Sequence, residues 1–274
     1  MQAFRASWSP PSGTLGGIVE EARLRAKALR ERCAELEQRA ATVADVPPFA
    51  PALRQPTVAV VAEVKRRSPS KGWIQASLSA AAQARAYQAG GAAAISVLTE
   101  PEHFAGSAGD LTDVRQAVPL PTLKKDFHVE PIQLLEAKAL GASAALLIAR
   151  ALPPDALRSM LDEARQLGLE TLVEVRDERE LELALALSAS VVGINNRNLE
   201  TLQIDPTTSV GLLTSVPAGI VAIAESGVAC RADVERLGQA GADAVLVGSS
   251  VSASRDPGAA VRELTGVARV SRER

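Results

Sequence analysis

The sequence predicts an α/β protein that folds as a (β/α)8 barrel, or TIM barrel, with an additional N-terminal helix. Short apolar runs recur after Pro56 at intervals of about 20–35 residues, and an alanine- or leucine-rich helical stretch follows each run. Three helix ends carry a glycine followed by alanine, at Gly91, Gly141 and Gly241, which is typical of a left-handed turn into a buried strand. Near-continuous apolar strands indicate a sheet that is covered on both faces. An open doubly wound sheet is the alternative fold, but no G-x-G-x-x-G motif follows the first strand.

The composition argues against several classes of protein. The 274 residues include 30 Lys and Arg against 32 Asp and Glu, and this balance does not indicate a nucleic-acid or membrane partner. Two cysteines and two histidines are too few for a disulfide framework or a closed zinc site, so we expect no metal and no cofactor. The histidines, His103 and His128, are expected in loops that face solvent. No apolar run approaches the roughly 18–20 residues of a membrane span, and residues 1–17 lack a secretory pattern, so we expect a cytoplasmic protein.

The part before the first strand has its own character. Leu15 to Ala41 carries a helical apolar pattern, which predicts one amphipathic helix docked onto the main body. Cys33 lies on its apolar side and is expected to be a small buried residue. We expect residues 1–50 to be an N-terminal extension within the same domain, 51–267 to be the barrel, and 268–274 to be a frayed tail.

The barrel strands are predicted in the following order. They are Val58–Val64, Ala93–Leu98, Thr122–Lys124, Ala144–Ile148, Thr171–Val175, Val191–Ile194, Ile220–Ala224 and Ala244–Val247. Chemistry in such a barrel is expected where the strands end, so the polar residues at those ends are the candidates for the site.

Strands 1 and 3 end in charged residues. Glu63 and Lys65 are two apart and therefore share a face, either as inward groups at the barrel mouth or as a core ion pair beside a solvated loop. Lys124 and Lys125 end strand 3. Either both are solvated, or one of them points inward, and the sequence alone does not decide which one. An inward lysine would be an acid, a Schiff-base former or an anion anchor.

Strands 5, 6 and 7 also end in polar groups. Glu174 is a candidate general base, with a structural partnership to a lysine as the alternative. Asn195 is a candidate donor to a developing oxyanion, although asparagine is also an ordinary turn residue. Glu225 ends strand 7.

The last two loops indicate a phosphate site. Gly227, Gly248 and Ser249 lie in small turns after strands 7 and 8, where backbone N–H groups can bind an anion. Six cations are expected to crowd the same rim: Arg66, Arg67, Lys71, Lys124, Lys125 and Arg197. Such neighbours would lower the pKa of a lysine acid toward neutrality. Together these features predict an enzyme that acts on a small phosphorylated anion by lysine and glutamate acid–base chemistry without metal.

Longer motifs resemble one family. The stretch from Ala62 to Gly72, AEVKRRSPSKG, resembles the signature of the indole-3-glycerol phosphate synthases. The similarity continues in order through Ser96–Glu100, Phe104–Ser107, Lys124–Phe127, Leu172–Glu174, Gly193–Leu202, Ala224–Gly227 and Val247–Ser250. It spans roughly residues 15 to 265 and covers the strand ends described above.

The resemblance implies an activity and a role for each matching residue. Members of the family convert 1-(2-carboxyphenylamino)-1-deoxyribulose 5-phosphate to indole-3-glycerol phosphate, with release of CO2 and water. Lys125 then matches the general acid and Glu174 the general base. The remaining matches are Glu63, Lys65, Asn195 and Glu225 at polar positions, Ser68, Arg197, Ser226, Gly227, Gly248 and Ser249 around the phosphate, and Phe104 and Phe127 at the aromatic ring.

Other implications are structural. The N-terminal helix should lie against the mouth of the site, and His103 stands where the family commonly has an aromatic residue. We expect a monomer, with a weak homodimer as the alternative. An aldolase that forms a Schiff base on Lys125 and a non-catalytic phosphate-binding barrel are the competing hypotheses.

Overall fold

A closed barrel of eight parallel strands forms the centre of the protein, whose computed structural model describes residues 1, 4 and 8–272. The barrel strands, in chain order, are β1 (Ala59–Val64), β2 (Ala94–Leu98), β3 (Thr122–Lys125), β4 (Ala144–Ile148), β5 (Glu170–Val175), β6 (Val191–Asn195), β7 (Val221–Glu225) and β8 (Ala244–Val247). Each strand pairs with the next, and β8 closes on β1 with Ala59 opposite Ala244. The predicted TIM barrel is therefore confirmed, with strand ends within one residue of the expected positions.

Three helices within residues 8–272 precede β1, and the helices that follow the strands cover the outside of the barrel. Those of the described residues are α1 (Gly13–Arg30), α2 (Cys33–Thr42), α3 (Phe49–Leu53), α4 (Ala80–Gly90), α5 (Ala108–Ala117), α6 (Pro131–Ala139), α7 (Pro154–Gln166), α8 (Glu178–Ala186), α9 (Thr207–Leu213), α10 (Arg231–Gln239), α11 (Ser249–Ser252) and α12 (Pro257–Leu264). Gly91, Gly141 and Gly241 have φ angles of 94°, 77° and 93°, so the predicted left-handed turns into strands are confirmed. Within the described ranges, no helix combines the length and the apolar character that a membrane span requires.

The additional N-terminal helix is present, but the prediction of one continuous helix is wrong. The first helix ends at Arg30, and a second helix begins at Cys33. Both helices contact α6, and α1 in addition buries Leu15 and Ile18 with the residues inside the barrel. Cys33 is half-buried, so its expected full burial is also wrong.

Two apolar layers lie on opposite sides of the barrel wall. In β1, Val60 and Ala62 pack outward against the helices, while Ala59 and Val61 point into the barrel. Side chains of a strand alternate between its two faces, so Glu63 continues the inward row of β1. The same alternation places the last inward residue of each strand at the mouth, which is where the site is built.

Candidate active site

Two lysines and two glutamates form a continuous chain of ion pairs at the floor of the mouth. The Nζ of Lys125 lies 2.8 Å from Oε2 of Glu225 and 3.3 Å from Oε2 of Glu63. The other oxygen of Glu63 lies 2.6 Å from Nζ of Lys65. Glu63 and Glu225 are 2% and 1% exposed, respectively, so these charges interact in a largely dry environment.

Strand alternation decides between the two lysines of β3. Leu123 points into the barrel interior, and Lys125, two residues on, therefore points the same way. Lys124 points outward, where its Nζ lies 3.1 Å from Glu136 and 3.4 Å from Asp126. The expectation that Lys124 joins the cationic rim is wrong, because its ammonium group is buried behind the barrel wall.

The electrostatics of Lys125 also differ from the expectation. Burial by itself would lower its pKa, but the carboxylates of Glu225, Glu63 and Glu174 outweigh that effect and raise the pKa. The predicted lowering by neighbouring cations is wrong, since the closest charged groups are negative. Lys125 is therefore protonated when the site contains no substrate.

The surroundings of Glu174 favour its neutral form, whereas those of Lys125 favour the charged form. Burial, followed by the negative charge of Glu225, raises the pKa of Glu174 to about 8. The side-chain amide of Asn195 donates a 2.9 Å hydrogen bond to Oε1 of Glu174 and thereby orients it. Asn195 is oriented in turn, because its Oδ1 accepts the backbone N–H of Arg197 at 2.9 Å. Glu174 is thus a fixed carboxyl group that can hold or release a proton near neutral pH.

The loops after β7 and β8 meet at the other end of the mouth. Ser226 and Gly227 have φ angles of 64° and 81°, which turns the backbone sharply beyond Glu225. Ser249 begins the short helix α11 directly after β8. A Cβ at Gly248 would lie 2.3 Å from Oε1 of Glu63, so a larger residue there would displace the Glu63 carboxylate from its ion pairs. The structure therefore brings the predicted phosphate residues together around the turns after β7 and β8.

One cavity of about 250 Å³ joins these groups. Its lining includes every predicted site residue except Glu225, which lies behind the surface and has one buried oxygen without a hydrogen-bond partner among the described residues. Phe104 and Phe127 form one wall, with ring centres 6.2 Å apart and planes inclined by 35°. The cavity is therefore apolar at one end, charged at its floor and lined by turns at the other end.

The predicted rim of six cations is only partly present. Lys71, Lys125 and Arg197 line the cavity. Arg66 is turned aside, because its guanidinium pairs with Asp110 at 2.6 Å. The positive charge at the mouth is thus smaller than the sequence suggested.

Sequence reasoning missed part of the cavity wall. Thr14, Leu15 and Ile18 of α1 line the cavity, as do Leu146 and Ile148 near the carboxyl end of β4. The amphipathic pattern of α1 signalled burial, but it did not identify the surface that the helix covers. The helix lies against the mouth, as the family resemblance implied.

The histidines occupy different environments. The expectation that His128 faces solvent is wrong: it is 2% exposed, and its Nδ1 lies 2.7 Å from the carbonyl oxygen of Leu146. Burial lowers its pKa to about 3, so it is neutral. His103 contacts Glu21 of α1, with 2.7 Å between Nε2 and Oε2.

One group of possible metal ligands lies at this contact. Atoms of Glu21, Glu100 and His103 lie within 4.8 Å of one another. Both oxygens of Glu100 already accept N–H groups, from Arg25 and from backbone amides of the β2–α5 loop. The group is therefore explained as the contact that fixes α1 to this loop.

A parallel barrel with lysines and glutamates gathered at the carboxyl ends of its strands has the architecture of a (β/α)8-barrel enzyme. Comparison with known proteins identifies the family. The family model "Indole-3-glycerol phosphate synthase" matches residues 15–264, and the chain belongs to this family.

Individual relatives agree with this assignment. The chain is 51% identical over 241 residues to the indole-3-glycerol phosphate synthase of a Nocardioides species, which covers 87% of this chain and 93% of the relative. It is 47% identical over 258 residues to indole-3-glycerol phosphate synthase 2 of Streptomyces coelicolor, covering 93% and 100%. A solved thiamine phosphate pyrophosphorylase from Pyrococcus furiosus has a TM-score of 0.57 at 18% identity over 77% of this chain and 95% of that one, which shows the shared fold alone.

Proposed function

We propose that the chain converts 1-(2-carboxyphenylamino)-1-deoxyribulose 5-phosphate to indole-3-glycerol phosphate, CO2 and water, as a decarboxylating lyase of tryptophan biosynthesis. The observation that carries the chemical part is the position of Lys125, between the carboxylates of Glu63 and Glu225, on the floor of a cavity that has an aromatic wall and a turn-lined end. The aromatic ring of the substrate lies against Phe104 and Phe127. Its phosphate lies among the N–H groups of the turns after β7 and β8.

Ring closure uses Lys125. The ring carbon that bears the carboxylate attacks the ketone carbon, so a carbon–carbon bond forms and the carbonyl oxygen takes the electron pair. An alkoxide is more basic than an amine, so the ammonium group of Lys125 passes a proton to it despite its raised pKa. Lys65 holds the substrate carboxylate until its carbon–carbon bond breaks, CO2 leaves and the ring becomes aromatic again.

Dehydration uses Glu174. The new hydroxyl group takes a second proton from Lys125, which solvent has reprotonated, and leaves as water. The ionised Glu174 takes a proton from the adjacent ring carbon. Two protons are delivered and one is recovered, so each turnover takes one proton from solvent. This matches the loss of a carboxylate as neutral CO2.

The experiment replaces Lys125 by Met and Glu174 by Gln and measures the fluorescence of the indole product at saturating substrate. Both variants should lose at least about 100-fold in kcat, the lower range of general acid–base contributions. Glu182→Gln is the control, because Glu182 is an exposed residue of α8 outside the cavity. Wild-type turnover in both variants would refute the assignment, and covalent capture of a carbonyl substrate at Lys125 by borohydride would favour the aldolase.

Organisation and location complete the proposal. α1 forms part of the cavity wall, which supports a single domain that contains both this N-terminal helix and the barrel. Membership of a biosynthetic family supports action in the cytoplasm.

A further inference from the structure

The segment before residue 15 lies outside the family match, and its described part is bound to the edge of the site. One guanidinium nitrogen of Arg150, beyond β4, donates to the carbonyl oxygen of Ser9 at 2.7 Å. The other nitrogen donates to Glu200 at 2.9 Å. Glu200 belongs to the loop between β6 and α9, so the segment is held from two sides of the barrel mouth.

Glu200 also provides a negative charge and a hydrogen-bond acceptor at the start of α1. The first turn of α1 has no acidic residue, and the hydroxyl of its N-cap, Ser12, does not cap its own helix among the described residues. Instead, the backbone N–H and the hydroxyl of Ser12 both donate to Oε1 of Glu200, at 2.6 and 3.0 Å. A carboxylate at a helix N-terminus is stabilised by the orphan N–H groups and by the helix dipole. The loop thus supplies the N-terminal cap of α1.

The backbone of the two segments is in close contact as well. The N–H of Thr14 donates to the carbonyl oxygen of Glu200 at 3.2 Å. Gly13 has a φ angle of 56°, and a Cβ there would lie 2.5 Å from the same oxygen. Only glycine fits this approach without displacing the loop, so the contact is specific.

Hydrogen bonds within the loop that carries Glu200 connect this contact to the cavity. Oδ1 of Asn198 accepts the backbone N–H of Glu200 at 2.8 Å, and the backbone of Asn198 pairs with Leu202 and Gln203. The carbonyl oxygen of Leu202 accepts a 2.9 Å hydrogen bond from Nη1 of Arg197, which lines the cavity. The loop is therefore an internally bonded unit with Glu200 at one side and Arg197 at the other.

We infer that Glu200 is a positioning residue that couples the start of α1 to the phosphate end of the cavity. Thr14, Leu15 and Ile18 form one wall, and Arg197 belongs to another, so one carboxylate sets the spacing of both. A ligand that orders the loop also orders the start of α1, and the coupling acts equally in the reverse direction. The inference rests on the proposed function only for the identity of the substrate.

The first test measures kcat and KM for the full chain with Glu200→Ala, Glu200→Gln and Asp162→Ala. Glu200→Ala should raise KM by about three- to thirtyfold, the range of coupling networks, with kcat within about twofold. Glu200→Gln keeps an acceptor for Ser12 and should lie between Glu200→Ala and the wild type. Asp162→Ala removes an exposed ion pair with Arg165 on α7, outside the cavity, and should leave both constants unchanged.

The second test uses inorganic phosphate as the probe and follows hydrogen exchange of the amides of residues 12–20. Phosphate should slow exchange there in the wild type and not in Glu200→Ala. The inference would be overturned by equal protection of these amides in both proteins. It would also be overturned by a KM that Glu200→Ala leaves unchanged, whether or not kcat and thermal stability fall together. A wild-type chain that makes no indole product would refute the proposed function instead, while the phosphate experiment would still decide the coupling.

Discussion

Replacement of Lys124 by methionine should affect stability and leave catalysis intact, although Lys124 adjoins the proposed acid. Its ammonium group is buried between Asp126 at 3.4 Å and Glu136 at 3.1 Å, outside the barrel wall. Removal of one partner from a buried ion pair costs about 3–5 kcal/mol, because the other charge stays buried without compensation.

The surroundings place this variant near the lower end of that range. Asp126 keeps a 3.1 Å contact with Arg25 and a 2.7 Å hydrogen bond from the hydroxyl of Thr99. The Glu136 side chain is 16% exposed and can be partly solvated. We therefore expect a loss of about 3 kcal/mol in the free energy of unfolding. For a chain of this size that corresponds to a fall in Tm of about 6–12 °C.

The assay compares Lys124→Met with Lys125→Met. Thermal unfolding is followed by circular dichroism, and turnover is measured by indole fluorescence at a temperature below the measured Tm of both variants. Lys124→Met should unfold earlier and keep kcat within about threefold, whereas Lys125→Met should lose at least about 100-fold in kcat. A Lys124→Met protein with unchanged Tm and a kcat as low as that of Lys125→Met would refute the assignment of opposite faces.

Three further perturbations follow from the geometry of the site. Glu174 acts as a base only when ionised, and its pKa is raised to about 8, so kcat should increase with pH up to about 8. Glu225→Gln removes a negative neighbour and should move this limb of the pH–rate profile to lower pH, and a limb that stays in place would contradict the assigned role of Glu225. Gly248→Ala should raise KM at least about tenfold in steady-state kinetics, because the new Cβ would lie 2.3 Å from the Glu63 carboxylate. An unchanged KM would show that the turn accommodates the methyl group. Burial raises the pKa of Glu180 to about 7, so this carboxyl group binds a proton more tightly in the folded than in the unfolded protein, and stability is lost as pH rises from about 4.3 through 7. Glu180→Gln should reduce this loss, measured by urea unfolding at pH 5 and 8. Equal pH dependence of stability in the variant and the wild type would contradict the prediction.

The barrel itself was predictable because its signal is local. Apolar runs of strand length, each followed by a helical stretch, lie within about 35 residues of one another along the chain, and three of the helices end in a glycine turn. Alternation then restricts the inward positions, so Glu63 and Lys65 were correctly expected on one face. Much of the site therefore follows from patterns that span a few residues.

Other features depended on contacts between distant segments. Leu123 and Lys125 point into the barrel because β3 has one particular face toward the axis, and a pattern of two adjacent lysines carries no information on that choice. His128 is buried because β4 brings the Leu146 carbonyl oxygen to it, and no local signal indicates this partner.

The sequence by itself determined the eight-stranded barrel, the edge at which the site lies and the residue types available there. Only the tertiary structure decided which lysine enters the mouth, that carboxylates surround it, that the N-terminal helix breaks into two, and that Glu200 caps α1. The reason is physical. Periodicity and turns depend on the chain's own neighbouring residues, whereas pKa values and caps depend on the charges and carbonyl groups that folding brings within about 3–4 Å.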